Sequence, residues 1–223
     1  MTRGATTDAG AMRIGVVADS HVGECLPSLP GGVAERLAGV DLILHAGDIT
    51  DRAVLRRLEE IAPVAAVQGD HDKDAGIVLP ECLVVVAGGR RIGLTHGRRA
   101  RAVELAAAAI SLARSRPCLF GFDRALRRRF GRVDVIVHGH LHLPRCRVVG
   151  GVLFFSPGAV YAPEGDPGYG TGLGARAYLR FRARQRADMR EPSVGLIEAG
   201  PDRIVATVLP LDPTRPSRVL GEM

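Results

Sequence analysis

The seven histidines, His21, His45, His71, His96, His138, His140 and His142, each lie in or just beyond one of five short apolar runs, and aspartates collect at the same places. The runs are IGVVA before Asp19-Ser-His21, DLILHA before Gly47-Asp48, VAAVQ before Gly69-Asp70-His71-Asp72, IGLT before His96-Gly97, and VDVIV before His138-Gly-His140-Leu-His142. Imidazole nitrogens and carboxylate oxygens suit a borderline or hard divalent cation, and no cysteine stands among them, so ligation by sulfur is not expected. In Asp19-x-His21 and His140-x-His142 two candidate ligands are separated by one residue; on an extended segment such residues point to the same side, so each pair can face one site. The candidate ligands outnumber what a single ion requires. Two divalent ions are therefore expected.

Something must bring these residues together. Each run has the length and the Val/Ile content of a buried strand and is closed by Gly or a polar cluster. Between the first three lie helical segments, GGVAERLAG and DRAVLRRLEEI, the second with Val54, Leu55, Leu58 and Ile61 at helical spacing. Strand–helix alternation implies α/β architecture with mainly parallel pairing, in which ligands gather where strands end. Gly88-Gly89-Arg90 and Gly150-Gly151 read as hairpin turns, residues 101–115 as an Ala-rich helix, 123–130 as a short basic one, and SVGLIEA and RIVATVL as two late strands around Gly200-Pro-Asp. We expect a loose tail over residues 1–11, one domain over 12–212 carrying basic excursions near 98–132 and 162–191, and a second tail over 213–223.

Composition narrows the class. With 223 residues, 46% of them hydrophobic, the chain can bury a full core. Cys25, Cys82, Cys118 and Cys146 are scattered without a C-x-x-C pair, which fits reduced thiols in a cytoplasmic protein and no cysteine nucleophile. The N-terminal residues lack the apolar stretch of a signal peptide, and no run approaches the ~20 residues of a membrane span. The net charge of +6 is unevenly spread: residues 98–132 hold ten arginines against Glu104 and Asp123, and residues 176–190 hold six against Asp188. The remainder is net acidic. A metal core with basic excursions suits a polyanionic ligand.

The order Asp19-Ser-His21, Gly47-Asp-Ile-Thr-Asp-Arg52, Gly69-Asp-His-Asp72, His96-Gly97 and Gly139-His-Leu-His142 resembles the signature of the calcineurin-like metallophosphoesterase superfamily, D-x-H, G-D-x-x-D-R, G-N-H-D or G-N-H-E, H next to G, and G-H-x-H. Ser156-Pro-Gly-Ala159 is similar to a turn of its small bacterial and archaeal phosphodiesterase branch. The resemblance implies two packed mixed β-sheets flanked by helices, an αββα sandwich, and hydrolysis of phosphoesters by a hydroxide bridging two metals. It implies that Asp19, His21 and His142 hold one ion, Asp70, His96 and His140 the other, and that Asp48 bridges them. His71 would protonate the leaving oxygen and Asp51 would orient its ring; Arg52 and Arg98 are candidates to face substrate phosphate. Mn²⁺ is the first choice of metal, with Fe, Zn, Co and Ni as alternatives on N/O ligands.

One position departs from the family pattern. Asp70 stands where asparagine is usual, and the added carboxylate should hold metal more tightly while weakening its Lewis acidity. A non-catalytic scaffold of similar fold, the retromer subunit of eukaryotes, also has aspartate there but lacks the leaving-group histidine. His71 therefore favours an enzyme acting on a small phosphoester, nucleotides included. A scaffold without turnover and a nuclease or RNA-processing factor are the rivals; nucleic acid is disfavoured because Trp is absent and only three Tyr and six Phe are available for stacking. A homo-oligomer is compatible with the sequence. His45 and His138 read as core histidines, and Asp72 as either a support for the ligands or a turn residue.

Overall fold

The computed structural model describes residues 10–163 and 172–223, so residues 1–9 of the expected 1–11 tail and part of the second basic excursion lie outside the described residues. Two sheets form the centre. The first has the order β11-β10-β9-β1-β2-β3, from β1 (Met12–Val17), β2 (Leu42–His45), β3 (Val64–Ala66), β9 (Ser193–Ala199), β10 (Ile204–Pro210) and β11 (Arg218–Glu222). The second, β4-β5-β6-β8-β7, is built from β4 (Cys82–Ala87), β5 (Arg90–Thr95), β6 (Val135–His138), β7 (Pro144–Val149) and β8 (Val152–Pro157).

Strand alternation explains the layers. Ile14 and Val16 of β1, Leu44 of β2, Ile92 and Leu94 of β5, Val135 and Val137 of β6, Leu153 and Phe155 of β8, and Ile197 and Ala199 of β9 meet in one buried cluster between the sheets. The opposite faces carry Val17, Ile43, Val194 and Leu196, which pack with Val33 and Leu37 of the α1 segment (helix Gly31–Arg36) and with Val54 and Leu58 of α2 (Arg52–Glu59). On the far side Ile136, Val152 and Phe154 pack with Phe122 and Leu126 of α4 (Phe122–Arg127). α3 (Arg101–Arg114) and α5 (Leu173–Ala183) complete the helices. This is the expected αββα sandwich, and no described helix is long and apolar enough to cross a membrane.

Strands β1, β2 and β3 run parallel to one another, as do β5, β6 and β8. The segments that follow β1, β2, β3, β5 and β6 carry the chemistry-bearing residues. The expected tail over 213–223 needs correction: β11 pairs antiparallel with β10, and Leu220 and Met223 pack against the central cluster. Arg-Val-Leu-Gly-Glu has charged ends and only two large apolar residues, too little to signal a strand by itself; the open edge of β10 supplies its partner.

Candidate metal centre

Asp19, His21, Asp48 and His142 each bring a ligand atom to within 4.8 Å of the others, and so do Asp70, His96 and His140. The two groups meet at one atom. Asp48 Oδ2 lies 3.4 Å from His21 Nε2 in the first group and 3.3 Å from His96 Nε2 in the second. His142 Nε2 is 3.6 Å from Asp19 Oδ1, and His140 Nδ1 is 3.5 Å from Asp70 Oδ2.

The backbone that achieves this differs from the extended segments expected. Asp19, His21, Asp48, His140 and His142 all have positive φ, between 45° and 69°. Asp and His tolerate this left-handed region better than most residues, but it still costs on the order of 1–3 kcal/mol each unless neighbours enforce it. The enforcement is visible. Asp19 N donates to Gly47 O, and Ser20 N and His21 N both donate to Asp48 O. Asp72, fully buried, accepts from the backbone N–H groups of Gly69, Asp48, Ile49 and Thr50 at 2.7–3.0 Å. Gly69 is packed so closely that a Cβ would fall 2.2 Å from Asp48 Oδ1.

Asp72 is thus the support of the Asp48 turn, settling its reading in favour of the ligands. Asp72→Ala would leave four N–H groups without an acceptor, three of them in fully buried contacts. We expect it to lower unfolding free energy by about 3 kcal/mol or more, read by urea denaturation, with Asp72→Asn losing less because it keeps one acceptor oxygen.

Three of the four candidate-ligand histidines are oriented through the nitrogen that faces away from the cluster, while His140 turns Nδ1 toward Asp70 and Nε2 toward Glu104. His96 Nδ1 meets Ala46 O at 2.8 Å, His21 Nδ1 meets Glu24 Oε2 at 3.0 Å, and His142 Nδ1 lies 3.2 Å from the hydroxyls of both Tyr161 and Tyr178. The Nε2 atoms are thereby aimed inward. His21 Nε2, His96 Nε2 and Asp19 Oδ2 are buried and have no hydrogen-bond partner. Buried polar atoms normally find one, and three converging orphans of this chemistry fit divalent cations on N/O donors.

The electrostatics agree. Burial pushes the Asp19 carboxyl up to about 8, against the pull of His96. Burial opposes charge on His96 too, but its contacts with Asp48, the field of Asp19 and the Ala46 carbonyl outweigh it and raise the ring to about 9. For Asp48 the same burial is overcome by His96 and His21 and by the His71 N–H, so its carboxyl lies well below the usual range. His45 and His138, by contrast, are lowered to about 3, chiefly by burial; His45 Nε2 meets Ser20 Oγ and His138 Nδ1 meets Gly139 O, as core histidines do.

The expected partner of His71 needs correction. The Asp51 side chain caps α2, accepting from Ala53 N at 2.7 Å, while His71 Nδ1 lies 2.9 Å from Glu24 Oε2. A carboxylate at a helix N-terminus is drawn to the unpaired N–H groups there, which takes Asp51 out of reach. Glu24 sits in the turn after His21, where no sequence pattern marked it. His71 N donates to Asp48 Oδ1, and the half-exposed ring lines a cleft of about 510 Å³ with Asp70, Asp74, Arg98, Arg101, Glu104 and His140.

Arg98 reaches Asp70 Oδ1 at 2.9 Å, so the extra carboxylate has its own counter-charge. Arg52 is exposed on the first turn of α2. Several arginines of the basic stretches are structural: Arg99 pairs with Glu104, Arg129 with Thr95 and the Arg98 carbonyl, and buried Arg182 donates to the carbonyls of His142 and Arg190. Glu104, also unmarked in the sequence, lies 3.6 Å from His140 Nε2.

Comparisons with known proteins show what the chain is similar to. The sequence model described as the calcineurin-like phosphoesterase superfamily domain matches residues 12–173. A probable metallophosphoesterase of Methanothermobacter thermautotrophicus is 32% identical over 156 residues, covering 69% of this chain and 80% of that protein. Among solved structures, vacuolar protein sorting 29 from Cryptosporidium parvum superposes with a TM-score of 0.67 at 23% identity, covering 96% of this chain and 98% of that one. A structure described as a novel archaeal phosphodiesterase gives a TM-score of 0.52 at 21% identity, over 89% of this chain and all of the other.

Proposed function

Since the chain belongs to the calcineurin-like phosphoesterase superfamily, we propose that it is a phosphodiesterase or phosphatase dependent on two divalent ions. The observation that carries the proposal is the position of Asp48 Oδ2, within 3.4 Å of a histidine from each ligand group, where one carboxylate can serve two ions. Asp19, His21 and His142 would hold one ion and Asp70, His96 and His140 the other. Mn²⁺ is the first choice and Fe, Zn, Co or Ni the alternatives. Such a pair, when bound, supplies an activated water and neutralises phosphoryl oxygens.

The chain's own residues supply the rest. His71, at the edge of the ligand groups, delivers a proton to the leaving oxygen from Nε2, while Glu24 holds its Nδ1 and so fixes ring orientation. Arg98 uses one nitrogen on Asp70 and keeps other donors for a phosphoryl oxygen. Arg52 is a second, more exposed phosphate-facing candidate. The presence of His71 favours turnover over a scaffold role, and the internal engagement of Arg99, Arg129 and Arg182 disfavours a nucleic-acid groove. Manganese-dependent hydrolysis of bis-p-nitrophenyl phosphate, abolished by a chelator, is the test; a metal-loaded chain inert to this diester and to p-nitrophenyl phosphate alike would favour the scaffold.

Asp70 gives a sharper expectation. Asp70→Asn removes one negative charge from the second ligand group, so it should loosen the ion there by about 10-fold or more and raise turnover at saturating Mn²⁺. Because Arg98 already offsets part of that charge, the gain in turnover should be larger in the Arg98→Ser background, where Asp70 stands alone. Lower turnover at saturating metal in both backgrounds would make aspartate the better ligand.

A further inference from the structure

Next to the ligand groups, α3 and α5 pack against each other and, with residues 117–119 and 141–143, border an open-sided cavity of about 340 Å³. Its wall is hydrocarbon, supplied mainly by Ala107, Ala108, Leu112, Leu119, Leu141 and Phe181. Apart from His140, which turns Nδ1 toward Asp70 in the ligand groups, the polar side chains that border it are already engaged. Arg99 donates to both Glu104 oxygens, Ser111 Oγ donates to Ala107 O and accepts from Cys118 N, and the Tyr178 hydroxyl meets His142 Nδ1. A nucleobase or sugar entering here would exchange water for a wall without free partners, which costs affinity. An apolar group would not.

The cavity adjoins the cleft over the ligand groups: Glu104, Ala108 and His140 line both, and His140 Nδ1 is 3.5 Å from Asp70 Oδ2. A phosphoryl group at the metal centre can therefore extend one ester arm between α3 and α5. At ~30 Å³ for a water-sized group, the space takes on the order of ten heavy atoms. We propose that this cavity is a subsite for a hydrocarbon ester arm of about six to eight carbons, so that the chain selects alkyl phosphoesters over nucleotides. The inference rests on the hydrolase reading for the position of the phosphoryl group.

The test uses the full chain loaded with Mn²⁺. Hexylphosphonate and methylphosphonate are titrated by calorimetry, and kcat/KM is measured for hexyl and methyl p-nitrophenyl phosphate. Hexyl is expected to exceed methyl by about 10-fold or more in both measurements, since each buried methylene adds discrimination. Ala177→Phe on α5 and, from the opposite wall, Ala108→Phe on α3 should bring both ratios close to one. Equal affinity for the two phosphonates, or a hexyl preference that survives both variants, overturns the subsite. A hexyl preference in binding without hydrolysis of either ester would keep the subsite and overturn the hydrolase reading; hydrolysis of both esters without preference would do the reverse.

Discussion

Replacing Asp48 with alanine is expected to lower phosphodiester turnover at least about 10²–10³-fold, a loss of the size seen when a group that stabilises the transition state is removed. The carboxylate has two tasks. Its Oδ2 lies between His21 and His96, and its Oδ1 accepts the His71 N–H at 3.0 Å. On the proposed reading, alanine would remove the ligand shared by both ions and, with it, the acceptor of the His71 N–H. Asparagine should fare almost as badly, because its single carbonyl oxygen can serve the His71 N–H or a cation but not both. Steady-state rates over a Mn²⁺ titration check this: restoration of wild-type turnover by excess metal in Asp48→Ala would mean that Asp48 is dispensable to the centre.

His71→Ala should slow hydrolysis by about 10²–10⁴-fold on esters with alkoxide leaving groups. On p-nitrophenyl esters, whose leaving oxygen needs little protonation, the loss should be far smaller, and metal content should be unchanged. Glu24→Gln should show the same leaving-group pattern at reduced size, since an amide still accepts from the ring but holds its orientation less firmly. Equal losses on both ester types would assign His71 to positioning. If Asp51→Asn reproduced the pattern and Glu24→Gln did not, the contact between Glu24 and His71 would not be the operative one.

Much of the centre was legible because its positions repeat one device: a strand of Val, Ile and Leu, then a polar residue at its C-terminal end. Those runs form β1, β2, β3, β5 and β6, wholly or in part, and the seven candidate ligands follow them in two groups. What escaped the sequence depends on three-dimensional proximity or on backbone conformation. Glu24 and His71 are 47 residues apart and meet only because His21 turns the chain with a φ of 45°. Glu104 looks like a solvated helix residue until α3 packs beside His140. Asp51 belongs to a motif whose spacing suits His71, yet the free N–H groups at the start of α2 hold it locally. Asp72 could not be weighed from sequence, because four N–H groups from two separate turns converge on it only in the fold. β11 depends on an open edge that no local pattern announces.

The arginines show the same limit from the other side. Their number in residues 98–132 suggested a cationic rim, whereas Arg99 is nearly buried against Glu104 and stacks over Phe122, and Arg129 ties its segment to β5 and to the Arg98 carbonyl. Arginine carries both a charge and a rigid set of donors, and only packing decides which the fold uses. In this chain Arg99, Arg129 and Arg182 brace segments beside the candidate ligands.

The most direct test of a two-ion centre is the metal content of the purified chain, measured by elemental analysis after reconstitution with Mn²⁺ and removal of unbound ion. Two equivalents per chain are predicted, falling to one or fewer in Asp48→Ala; a single equivalent that persists in the unaltered chain at saturating metal, and is untouched by loss of Asp48, would contradict the account.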